Sequence, residues 1–339
     1  MGDKRGRRFR PFSFTSGVHF GYYSKPLRRR VCDFGADHAF AVASQKMKEH
    51  YGIDIVPDMV RKITECHAEE IEVKDKEGFF LGDSKPKPIV IGEMDGSMVP
   101  IVEIEEKPKK KGKKKDRRKS RKLKYREARL SMAFSPGSRE RQFEGTFANT
   151  ETAGKQLKMC VNRVGADRKT EVYCIGDGAT WIANQIEEQF GAKGHYLVDF
   201  YHVCEYLAEA ARNISDLEDP KGWTKRQKSR LKQNKIEAVL AELKPHIEKQ
   251  IGDEEKTPIV DCYRYIDNRR NNQLDYKTAI EKGLPIGSGE IESAHRYVIQ
   301  KRLKIAGAWW KERNAEKMLA LRVCRANNDW DQYWTKVAA

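Results

Sequence analysis

No two of the seven cysteines in this 339-residue chain are spaced as a Cys-x-x-Cys pair. Cys32, Cys66, Cys160, Cys174, Cys204, Cys262 and Cys324 stand singly. That spacing argues against a closed zinc site, and an odd number of scattered thiols suits a reducing compartment. Buried small hydrophobes are their expected use. No apolar stretch approaches the ~20 residues needed to cross a bilayer. The basic start also lacks the apolar core of a signal peptide. A cytoplasmic protein with no membrane partner is expected. No internal repeat is visible.

What the chain has in excess is positive charge. Lys and Arg number 66 against 50 Asp and Glu, a formal net charge of +16. The excess is concentrated: residues 107–126 hold 14 basic residues and one acid, and residues 1–30 hold nine and one. The remainder is slightly acidic. Basic segments on a near-neutral body point to a polyanion held at defined places. Lys109, Lys110, Lys111, Lys113, Lys114, Lys115, Arg117 and Arg118 are the candidate phosphate contacts in the dense run. The alternative for that run is a solvated loop.

Residues 1–26 read as an irregular basic arm. From 27 to 85 the pattern is helical: Phe40, Val42, Ala43, Met47 and Tyr51 recur at helix spacing, Gly52 stops that helix, and Pro57 opens the next. Two helices and a short turn, with Arg61 and Lys62 near the second start, read as a helix-turn-helix DNA-binding segment or as a plain helical hairpin. Strand signals follow at Ile89–Glu93, Met98–Ile104, Lys124–Phe134, 171–176 and 195–199, with helices at 150–163 and 179–190 between them. Such alternation predicts a mixed α/β sheet. Asp95-Gly96-Ser97, between the first two runs, reads as a hairpin turn. Beyond Asp199 the strand signal nearly vanishes.

Three acidic motifs carry the chemistry: Asp95-Gly96-Ser97, Gly176-Asp177-Gly178-Ala179, and Gly287-Ser288-Gly289-Glu290-Ile291-Glu292-Ser293. Asp95 and Asp177 each follow a β-branched apolar run, where a carboxylate needs a cation or solvent. Converging carboxylates are what two-metal phosphoryl transfer requires, with Mg²⁺ (or Mn²⁺) bound through oxygen, two ions in all. A lone Asp-Gly is a common turn, so the specificity lies in the combination. Glu290 and Asp199 compete for places in the set, and residue chemistry alone does not separate Glu290 from Glu292. Asp199 and His202, three apart, would share a helix face and orient DNA or the site, or form a structural pair. Arg296 and Arg302 could engage phosphates, with an intrahelical Glu–Arg pair as the alternative for Arg296. Trp309 or Trp310 could stack on an unpaired base, with core packing expected for at least one.

The segment GDGATWIANQIEEQFGAKGHYLVDFYHVCEYL, followed by GSGEIESAHRYVIQKRLKIAGAWW and LALRVCRANN, resembles bacterial insertion-sequence transposases of the Kra-four family, which are DDE transposases. The resemblance runs from about residue 27 to the end. It implies an RNase H-like core begun by residues 86–215, with the basic run 107–126 as a loop. An all-α insertion at 216–287 precedes the last catalytic acid, and C-terminal helices at 288–339 complete the core. It implies Asp95, Asp177 and Glu292 as the metal-binding catalytic triad, the GSGxxE spacing selecting Glu292. Asp199 and His202 resemble the Cys/Asp-x-x-His motif of related Mutator-like transposases. The family's activity would be cleavage and joining of double-stranded DNA, element ends and target alike, by a homodimer or higher assembly near the bacterial nucleoid. The alternatives are a structure-selective nuclease on the same core and a DNA-binding protein that has kept only the scaffold.

Overall fold

The computed structural model describes residues 23–80, 84–104, 121–247 and 257–336. The expected basic arm and the contacts from Lys109 through Arg118 therefore lie largely or wholly outside the described residues. Three helices come first: α1 (Lys25–Asp37), α2 (Phe40–Tyr51) and α3 (Pro57–Lys76). Gly52 ends α2 at φ 65°, in the left-handed region that glycine enters without cost, and Pro57 opens α3. The buried stripe of α3 is Val60, Ile63, Thr64, His67, Ala68 and Ile71.

Five strands follow: β1 (Ile89–Ile104), β2 (Arg121–Phe134), β3 (Gln142–Thr146), β4 (Glu171–Gly176) and β5 (Gly194–Val198). They form one sheet in the order β3-β2-β1-β4-β5. β1 to β3 pair antiparallel, while β4 and β5 run parallel to β1. This is the mixed, RNase H-like layout expected. Helices α4 (Thr150–Val164) and α5 (Thr180–Phe190) cover one face. Their core comprises Val90, Met94, Leu157, Cys160, Val172, Cys174, Ile182 and neighbours. The other face presents Ile91, Leu130, Met132, Tyr173 and Ile175 to a larger core shared with the N- and C-terminal helices.

Asp95-Gly96-Ser97 is not a turn. β1 is continuous for 16 residues, and Asp95, Gly96 and Ser97 pair with Leu130, Arg129 and Ala128 of β2. The β-branched residues on both sides favour extended backbone throughout. Gly96 serves a close approach instead, since a Cβ there would lie 2.2 Å from Glu127 Oε1. The connection between β1 and β2 falls at 105–120, outside the described residues. β3, which the sequence reading did not anticipate, adds the far edge.

From α6 (Phe200–Asn213) the chain is helical as expected: α7 (Pro220–Lys232), α8 (Ile236–Leu243), α9 (Pro258–Asp267) and α10 (Tyr276–Glu281). Then α11 (Gly289–Ala294) runs on through a π-helical turn, His295–Gln300, and a last α-turn, Lys301–Leu303. α12 (Glu312–Ala326) packs against α3 and β3, and α13 (Trp330–Lys336) completes the described chain. Ion pairs from Arg322 to Asp37 and from Arg325 to Asp33 tie α12 to α1.

Candidate active site

The parallel ladder of β1 and β4 ends on the pair Glu93–Ile175. Asp95 and Asp177 each lie two residues further on. They therefore occupy equivalent positions on adjacent strands, whose spacing in a sheet is about 4.8 Å. β1 continues past this point while β4 stops at Gly176, so the fork opens at the two aspartates.

Backbone amides hold each carboxylate. Asp95 Oδ1 accepts from Gly96 N at 2.7 Å, and Asp177 Oδ1 accepts from Ala179 N at 2.8 Å. The Asp177 loop is also fixed from the helical insertion. Tyr265 Oη donates to the Asp177 carbonyl at 2.5 Å, and Arg269 donates to the Gly178 carbonyl through Nη2 at 2.6 Å and Nε at 3.2 Å. Gly178 N donates to Tyr196 Oη at 3.0 Å. Gly178 has φ 86°, and a Cβ there would sit 2.6 Å from Tyr265 Oη, so conformation and space both require glycine.

Alternation along β1 sets Glu93, Asp95 and Ser97 on one face, beneath α11 and its continuation. Each meets that segment: Ile291 N donates to Glu93 Oε2 at 2.8 Å, His295 Nε2 lies 3.2 Å from Asp95 Oδ2, and Lys304 Nζ donates to Ser97 Oγ at 2.7 Å. The His295–Asp95 approach is close but not aligned as a hydrogen bond, and both nitrogens of this buried ring lack a hydrogen-bond partner among the described residues. Burial pushes the Glu93 carboxyl up to about 8, so it is largely protonated at neutral pH in the bare protein. Burial lowers the pKa of Lys304, against the opposing pull of Asp95. Glu93 and His295 escaped the sequence reading. The signal for Glu93 was its place two residues before Asp95 on a strand, and for His295 its place one helical turn after Glu292.

Glu292 is exposed, on the side of α11 that carries His295. Glu290 is occupied instead by Arg141, with N–O distances of 3.2 and 3.3 Å. Among the described residues no three His, Cys, Asp or Glu side chains converge into a group that could hold a metal ion. The donors nevertheless fit the chemistry of Mg²⁺. That ion takes hard oxygen ligands, often only one or two carboxylates, with water and substrate phosphate completing the shell. Asp95 and Asp177, in register at an open fork, match such a partial ligand set.

Asp199 is buried and saturated. Its Oδ1 accepts from Tyr201 N at 2.6 Å and His202 N at 3.3 Å, capping α6. Its Oδ2 accepts from Ser288 N and Ser288 Oγ, both at 2.7 Å. The expected side-chain pair with His202 does not form, because both Asp199 oxygens are committed to backbone amides and Ser288. The half-exposed His202 ring lies 3.6 Å from Glu205 instead. Asp199 thus anchors the Gly-Ser-Gly turn that launches α11.

The basic candidates divide. Arg61 and Lys62 are ion-paired within α3, to Asp58 at 2.8 and 2.9 Å, and Arg61 also to Glu65. Arg296 is exposed. Arg302 is buried rather than available to phosphate: its Nε donates to Gly35 O at 3.0 Å, and its guanidinium lies 4.7 Å from both the Phe40 and Trp310 rings. Its apolar stem and planar head fill an interior aromatic slot. Trp310 is buried while Trp309 is half-exposed, so the expected core role falls to Trp310. No helix among the described residues is long and apolar enough to cross a membrane.

No curated protein matches the chain. Among solved structures, the Drosophila P element transposase strand transfer complex is similar over 96% of this chain and 83% of that one, at 10% sequence identity and a TM-score of 0.33. A likeness that slight carries no argument about function. The sequence profile of the uncharacterised protein family UPF0236 matches residues 154–335, more than half of the chain and including Asp177, Asp199 and Glu292. The chain belongs to the uncharacterised protein family UPF0236.

Proposed function

We propose that this protein is a DDE-type DNA transposase, acting on double-stranded DNA as a homodimer or larger assembly. The observation that carries the reading is the fork: Asp95 and Asp177 at equivalent positions on adjacent parallel strands, each held by a backbone amide, beneath a helix bearing Glu292. Asp95 and Asp177 would hold two divalent ions, Mg²⁺ or Mn²⁺, with Glu292 completing the set. Such ions, when bound, stabilise the attacking and leaving oxygens of an in-line displacement at phosphorus. The protein's own contribution is placement. Tyr265 and Arg269 fix the Asp177 loop, Asp199 and Ser288 fix the start of α11, and His295 sits against Asp95. The basic run at 107–126 supplies a polyanion contact whose strength falls with salt.

The test is DNA joining with ends taken from the sequence flanking the protein's own coding region. Asp177→Asn is expected to lower Mg²⁺-dependent joining of pre-cut ends by roughly 10³-fold or more, as loss of charge stabilisation at a reacting centre does. DNA binding and its salt slope should persist in that variant. Joining that survives Asp177→Asn sinks the proposal. Cleavage without any joined product would make the protein a structure-selective nuclease instead.

A further inference from the structure

The largest apolar cavity among the described residues lies well away from the aspartates. It has a volume of about 440 Å³ and is walled by Phe40, Val102, Ile104, Arg302, Trp309 and Trp310. Seven residues of β1 separate Asp95 from Val102, or about 23 Å of strand. Whatever occupies the cavity is therefore not the reacting nucleotide.

Its walls are rigid. Val102 N donates to the Trp310 carbonyl at 2.7 Å, and Trp310 forms a β-bridge with Ile101. Trp310 and Arg302 are each more than nine-tenths buried, yet Trp310 Nε1 and Arg302 Nη2 have no hydrogen-bond partner among the described residues. Unpaired buried donors are costly, roughly 1–3 kcal/mol each, and call for an acceptor. Both orphans are donors and neither is an acceptor. At the rim, the Trp309 ring is half-exposed and carries the Arg121 guanidinium 3.3 Å from its centroid, a flat cationic and aromatic platform. Ile104 and Arg121 also flank residues 105–120, of which ten between 107 and 119 are basic.

We propose that this cavity receives an unpaired nucleobase of a DNA strand, one presenting carbonyl oxygens, thymine or guanine. The planar ring satisfies the aromatic walls, and a carbonyl edge satisfies Trp310 Nε1 and Arg302 Nη2. Thymine and guanine offer O4 and O6 where adenine and cytosine offer amino donors. The flanking basic run brings the phosphate backbone to the mouth. The inference rests on the DNA-handling part of the proposed function but not on its chemistry, because base capture needs no catalysis.

The experiment uses the full chain without divalent metal. Binding is compared between a duplex bearing a single-thymine bulge and the same duplex with an abasic site at the bulge, in wild type and in Trp309→Ala. Wild type is expected to prefer the thymine probe about 10-fold, the scale of one base–aromatic stack, and Trp309→Ala to lose most of that preference. A 5-iodouracil at the bulge should photocrosslink to the peptide containing Trp309 and Trp310. A wild-type preference below about twofold, an undiminished preference in Trp309→Ala, or crosslinks confined to other peptides overturns the inference. A base preference in a protein whose joining survives Asp177→Asn would leave the cavity standing while the transposase reading falls.

Discussion

Two acidic clusters flank the same sheet and are built in opposite ways. At the β3 edge, Glu144 is buried with Arg163, Asp329 and Asp75 around it: Arg163 Nη2 meets Asp329 Oδ2 at 2.5 Å and its Nη1 lies 3.6 Å from Glu144 Oε1. Burial pushes Glu144, Asp75 and Asp329 all above the ordinary carboxylate range, and Glu144 and Asp75 share a hydrogen bond, which requires a proton between them. At the β1–β4 fork, Asp95 and Asp177 receive hydrogen bonds from neighbouring amides and stay open to solvent, with His295 the one imidazole against Asp95. The first cluster is neutralised from within by an arginine and a proton. The second is oriented but not neutralised, which is the condition for recruiting cations from outside. Acid content alone does not distinguish structure from function here; the source of the compensating charge does.

The sharpest break between the two clusters comes from removing one charge in each. Asp177→Asn should erase joining while leaving the unfolding midpoint nearly unchanged, because its carboxylate is not a buried partner. Arg163→Met should do the reverse. It leaves Glu144 and Asp329 buried without their cation, and breaking such a pair costs about 3–5 kcal/mol. Denaturant unfolding of the two variants side by side is the measurement. A large stability loss in Asp177→Asn, or none in Arg163→Met, would erase the distinction.

The fork was legible in the sequence because its parts are local. A β-branched run, an acid and a glycine stand side by side at Asp177, and motif spacing reaches Glu292. The other cluster was not legible, since Asp75, Glu144, Arg163 and Asp329 come from four elements and look like ordinary surface charges in a one-dimensional reading. The same limit applied to Arg302, whose partners Gly35 and Phe40 lie far away in sequence. The Asp95 turn failed for a different reason. Asp-Gly favours a turn locally, but fourteen cross-strand residue pairs with β2 override the preference. β3 was missed because five residues with little apolar alternation carry almost no periodic signal.

A smaller effect sharpens the buried side. The Glu144 pKa is raised in the folded state, so its ionised form opposes folding. The stability tied to this group is full below its ordinary value of 4.5 and is lost as pH rises toward the raised folded value. Glu144→Gln keeps the hydrogen-bonding shape and removes the titration. The variant should be more stable than wild type at neutral pH, by about 1 kcal/mol, and its stability should vary less with pH above 4.5. Arg163 retains Asp329 in that variant, so no cation is stranded. Equal pH profiles for the two proteins would mean that the buried carboxyl ionises freely.

The smallest expected effect lies at the fork. Tyr265→Phe deletes one hydrogen bond to the Asp177 carbonyl while leaving the ring stacked on Tyr206 at 4.1 Å. A single neutral hydrogen bond contributes about 1 kcal/mol, and Arg269 still holds the adjacent Gly178 carbonyl. Stability should therefore change by less than about 1 kcal/mol. Tyr265 acts on the Asp177 side chain only through its backbone, so the loss should appear in kcat, several-fold, with KM for DNA unmoved. A role confined to packing the insertion would leave kcat alone and lower only the unfolding midpoint. A shift in KM would place Tyr265 in contact with DNA. The kcat-only result would show that the helical insertion, far from the sheet in sequence, sets the working geometry of a strand-end aspartate.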